Sequence, residues 1–134
     1  MDLKKEYALD PAAVADGVKF DFSEEGWSIT LRPTHQSNKE YAEAFARHGK
    51  KYVVGGRRQK VSGEVRQAVL AKAFADAIVV DWSGVKDDGK TIKCTPENVV
   101  DMLLKYPDFF DRVADLAGDV ASYRQEYIEE VVKP

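Results

Sequence analysis

The sequence is poor in the residues that usually do chemistry. It has one cysteine, Cys94, and two histidines, His35 and His48. A single cysteine excludes an intrachain disulfide and a thiolate metal cluster. Neither histidine has a sequence partner that completes a Cys-His or metal-ligand pattern. Long apolar runs are missing too: Ala77 to Val80 falls far short of the roughly 20 residues of a membrane helix, and "MDLKKEYALDP" has no signal-peptide core. The expectation is a cytosolic protein with no membrane contact, no metal and no cofactor. There is also no internal repeat, no low-complexity segment and no long linker. The 134 residues read as a single domain, with a hairpin over 17–32 and a helical part over 37–130.

What the chain does have is unevenly placed charge. The net charge is −3, which weighs against a nucleic-acid partner. Yet Arg47, Lys50, Lys51, Arg57, Arg58 and Lys60 share an acid-free segment, while Asp108, Asp111, Asp115, Asp119, Glu126, Glu129 and Glu130 dominate the C-terminal third. The two glycines in "KKYVVGGRRQK" lack the Walker or Rossmann context of a phosphate loop. A solvated loop or a contact for an acidic protein suits this segment better. Acidic residues along one helix diverge into solvent, so they form neither a calcium site nor an acid/base pair.

The periodicities define the elements. "VKFDFSEEGWSITL" alternates, and one hairpin register sets Phe22 opposite Trp27, Phe20 opposite Ile29 and Val18 opposite Leu31, all on one face. Ser37 and Glu40 have capping-box spacing ahead of Tyr41, Phe45, His48 and Tyr52, which recur at helical intervals. Ser62 caps a second helix to about Val79, apolar nearly all round and therefore central. "DWSG" reads as a turn around Trp82, and "DDG" as another. In "CTPENV", Thr95 is an N-cap, Pro96 the first helical residue, and Cys94 with Val99 a hydrophobic staple; this reading outweighs that of a reactive thiol. A last helix from Asp108 carries Phe109, Val113, Leu116, Ala117, Val120, Tyr127 and Ile128 on one side and acids on the other; Arg124 falls inside the apolar arc. The class is α+β: an N-terminal β-hairpin followed by about four mainly helical segments.

The order "AIVVDWSGV", a "DDGK" turn, "TPENVVDMLLKYPDFFDRV" and a closing "YRQEYIEEVVKP" resembles the tail assembly chaperones of long-tailed, lambda-like bacteriophages. The resemblance runs from about Val65 to Pro134, and it lies in order and spacing. It implies a non-enzymatic protein that binds the helical tape measure protein in the host cytoplasm, keeps it soluble, helps recruit tail tube subunits and is absent from the mature virion. It also implies a shorter form of a pair related by frameshifting. Repeated weak contacts from many copies suit a long apolar partner. The competing class is a small enzyme or nucleic-acid-binding regulator of a phage or bacterium. For partner contact or self-association the candidates are Arg57, Arg58 and Lys60 against Asp111 and Asp115 of a neighbouring copy, a head-to-tail arrangement compatible with a homo-oligomer.

Overall fold

The computed structural model describes residues 1–55, 57, 58 and 60–131. Two short helices open the chain, α1 (Leu3–Tyr7) and α2 (Pro11–Asp16), capped by the side chains of Asp2 and Asp10. The expected hairpin follows as β1 (Val18–Phe22) and β2 (Trp27–Leu31). Its register pairs Phe22 with Trp27, Phe20 with Ile29 and Val18 with Leu31, the alignment that puts the large apolar groups on one face.

Helix α3 (Lys39–Gly49) then leads through a 3₁₀ turn (Lys50–Tyr52) into a small hairpin, β3 (Val53–Val54) and β4 (Arg57–Arg58). The expected capping box is not formed. Asn38 is the N-cap, and its side chain is buried, donating to the carbonyls of Pro33 at 2.9 Å and Ala77 at 3.0 Å. Ser37 is engaged by His35 Nδ1 instead, and Glu40 pairs with Arg32 at 2.8 Å. The central helix is α4 (Gly63–Ala77), with the Ser62 hydroxyl accepting from the Val65 amide.

Past α4 the structure departs from the sequence reading. "VVDWS" is a strand, β5 (Val79–Ser83), and it joins β2 to give a three-stranded antiparallel sheet of order β1-β2-β5. The turn itself is displaced to Gly84, at φ +75, where an added Cβ would run into the Gly26 carbonyl. A two-residue hairpin, β6 (Lys86–Asp87) and β7 (Lys90–Thr91), closes around Asp88 and Gly89; both have positive φ, as a tight hairpin turn of this hand requires. Helix α5 (Pro96–Lys105) starts as expected, with the Thr95 hydroxyl accepting from the Asn98 amide.

The predicted last helix is broken. Helix α6 (Pro107–Gly118) ends at a glycine, a 3₁₀ turn (Val120–Tyr123) follows Asp119, and α7 (Gln125–Val131) sets off again. Arg124 sits at the second break, its guanidinium 5.6 Å from the Tyr7 ring centroid. That position explains a cation inside an apolar arc: the arc does not continue through it.

The main core lies between one face of the sheet and α4, α5 and α6. Ile29, Leu31, Phe74, Ile78, Trp82, Leu103 and Val113 are among its buried members. The hairpin face is shielded by α6: Trp27 lies 5.9 Å from Phe109 between ring centroids, and Arg112 lies over Phe22 at 4.6 Å. Trp82 is opposite Ile29 and donates its indole N–H to the Ile92 carbonyl at 2.8 Å. A smaller core of Ala13, Tyr123 and Ile128 joins the two ends of the chain against Val18 and Phe20.

Candidate functional site

Helices α3 and α4 approach closely because alanines meet between them: Ala44 packs with Ala73 and Ala77. Beyond this contact the chain swings out through the 3₁₀ turn and the β3–β4 hairpin before returning at Ser62. The detour encloses a groove of about 660 Å³. Phe45, Tyr52, Val53, Val61 and Val69 give it an apolar lining, and two exposed cations, Lys60 and Arg66, line it as well. Val53 is 45% exposed.

Residues alternating with these along the same turn, Arg47, His48, Lys50 and Lys51, line a second, shallower depression together with Lys72. Asp76 of α4 answers two of them, accepting from Arg47 at 2.8 Å and His48 at 2.6 Å on one oxygen. Partial burial alone would raise the Asp76 pKa, but those two hydrogen bonds and charges outweigh it and hold the carboxyl below its ordinary value.

The residues proposed from sequence for contacts are distributed over this surface and a separate helix. Arg57 is exposed on β4, Lys60 is in the groove, and Asp111 and Asp115 are exposed on α6. Arg58 is on β4, its side chain outside the described residues. Among the described residues, no ion pair or hydrogen bond joins Arg57 or Lys60 to Asp111 or Asp115. Sequence reasoning missed Arg66, Val53 and Val61 as site residues and read Val69 only as a position of the central helix. The signal of Val53 and Val61 was the isolated "YVV" and "KVS" triplets beside the glycines, too short to show a period.

The other candidates are structural. Cys94 is half-buried in the main core with Val99, and burial, then the Asp81 charge, push its thiol pKa up, the opposite of an activated nucleophile. Asp87 is held by Lys105 at 2.8 Å and by the Tyr106 hydroxyl, which ties the β6–β7 hairpin to the end of α5. No three His, Cys, Asp or Glu side chains among the described residues are grouped to hold a metal. No helix among them is long and apolar enough to cross a membrane.

A family model described as YdaY prophage protein matches residues 36–134. The chain belongs to the YdaY prophage protein family. It is therefore of phage origin. The family match begins after β2 and takes in α3, the groove, α4, β5 and the whole C-terminal helical part. No curated protein and no solved structure matches the chain.

Proposed function

We propose that this YdaY-family protein is a phage tail assembly chaperone. It binds the tape measure protein in the host cytoplasm, keeps it soluble, helps recruit tail tube subunits and leaves before the virion is complete. The role is non-enzymatic and needs no cofactor. One observation carries the reading beyond prophage origin: an open groove with an apolar lining and exposed cations, on a chain whose remaining large side chains are mostly committed to its cores. A tape measure protein outside its tube has apolar helical surface to cover, and a small protein with one such groove covers it by binding in many copies.

The test is coexpression with the tape measure protein encoded in the neighbouring reading frames. The expected result is that the two copurify and that the tape measure moves from the insoluble to the soluble fraction. A tape measure that stays insoluble and uncaptured overturns the proposal.

A further inference from the structure

We infer that the α3–α4 groove takes an amphipathic helix whose apolar stripe is flanked by carboxylates, and that this is the form of partner surface the protein selects. The inference rests on the chaperone reading and specifies its binding site.

The lining gives the first half of the argument. Valine and ring surfaces at Tyr52, Val53, Val61 and Val69 offer no hydrogen-bonding pattern, so an occupant gains mainly by placing apolar side chains there. A groove beside paired helices matches the mode in which a helix lays down anchors at i, i+3, i+4 and i+7. Its volume, about 660 Å³, admits only a few side chains. Each copy therefore covers a short piece of helix, and a long partner needs a row of copies.

The charges give the second half. Lys60 and Arg66 line the groove, Lys50, Lys51 and Lys72 stand in the depression alongside, and residues 44–63 contain no acid. Asp76 is already taken by Arg47 and His48. A partner helix with acids flanking its stripe neutralises this surface, whereas one flanked by lysines is repelled.

Helix α6 of a second copy meets only one of these requirements. The exposed face of α6 presents Asp108, Asp111 and Asp115, but its apolar residues Phe110, Val113 and Ala117 are buried in its own core. It can answer the cations and cannot fill the groove. Nucleic acid fits the cations as well and could stack a base on Phe45 or Tyr52, but Val53, Val61 and Val69 offer it neither stacking nor hydrogen bonds.

The experiment uses the full chain coexpressed with the neighbouring tape measure protein. It compares wild type with Val53→Asp and with a Lys60→Glu, Arg66→Glu double variant, all at exposed positions and each first checked for wild-type thermal unfolding. Wild type is expected to capture the tape measure, with both variants retaining about a tenth or less of it, as for central interface residues. Capture by wild type should weaken with salt. Equal capture by all three forms overturns the groove while leaving the chaperone reading intact. No capture by wild type overturns both. Two further outcomes also overturn the inference: copurifying material that nuclease removes, which assigns the groove to nucleic acid, and a chain whose own sedimentation shifts in Val53→Asp, which assigns it to a second copy.

Discussion

The Tyr123 hydroxyl donates to the backbone carbonyl of Leu31 at 2.8 Å, joining residues 92 positions apart in a fully buried contact. Burial, with the Asp119 charge adding to it, drives the phenol pKa far above its ordinary value, so the hydroxyl stays a donor across the accessible pH range. This one bond ties the turn between α6 and α7 to the central strand of the sheet.

Tyr123→Phe keeps the ring against Phe20 and removes only the hydroxyl. It leaves a buried carbonyl short of a donor, a loss of about 1–3 kcal/mol. Urea unfolding should show a lower midpoint with an unchanged slope; an unchanged midpoint would mean that water replaces the phenol there.

Trp82 and Gly84 shape the end of β5. Trp82 is 6% exposed, bonds to Ile92 and stacks edgewise on Phe109. Trp82→Ala should cost about 3–5 kcal/mol, as truncations of large buried aromatics do. Gly84→Ala combines a left-handed backbone, about 1–3 kcal/mol for a non-glycine residue, with a Cβ driven into the Gly26 carbonyl. Both variants should melt well below wild type or accumulate as insoluble protein, and a soluble Gly84→Ala chain with wild-type melting would contradict the close packing of the two turns.

Asp76 gives a pH dependence with a definite sign. Its folded pKa lies below the unfolded one, so the carboxylate adds stability above its ordinary value and loses it as pH falls through the lowered value. The group is about a third exposed, which limits the effect to about 1 kcal/mol or less. Wild type should exceed Asp76→Asn in stability at pH 6, and the difference should shrink below about pH 4. A gap that persists unchanged at pH 3 would assign the effect to packing instead.

Contact between copies through Arg57, Lys60, Asp111 and Asp115 would rest on exposed pairs, each worth about 0–1 kcal/mol. Sedimentation should therefore detect self-association only at low salt. Arg57→Glu, Arg58→Glu should reduce it, and changing Asp111 and Asp115 to Lys in that background should restore part of it. An oligomer indifferent to salt and to these substitutions would exclude the contact.

How much of this was legible depended on whether a segment carries its own period or cap. The β1–β2 register was readable because six large apolar groups alternate on both sides of one loop. The starts of α4 and α5 were readable from Ser62 and from Thr95-Pro96. Strand β5 was not: Val79 and Trp82 are buried while Val80 and Asp81 are exposed, so it has no alternation to read, and its pairing with β2 is tertiary. The break after Gly118 was hidden because the apolar arc continues in phase across it, from Ala117 to Val120. Asn38 resembled any polar residue ahead of a helix, and only the fold supplies the two carbonyls that bury it. The N-terminal helices did leave a signal in Asp10-Pro11, a cap followed by a first-turn proline. The groove is the least legible feature, since its lining comes from α3, the detour and α4 in pieces of one or two residues.

The central strand β2 is made early and completed late. On a ribosome it emerges about 50 residues before β5, an interval of about 2–10 s at ordinary synthesis rates. During that time Phe20, Phe22, Trp27, Ile29 and Leu31 have neither their third strand nor the helices that cover them. The hairpin face of the nascent chain is thus uncovered until α4 brings Trp82 back beside Ile29 and α6 closes over it. The stretch of synthesis in which this chain is most exposed to aggregation should accordingly be the interval between β2 and the end of α6.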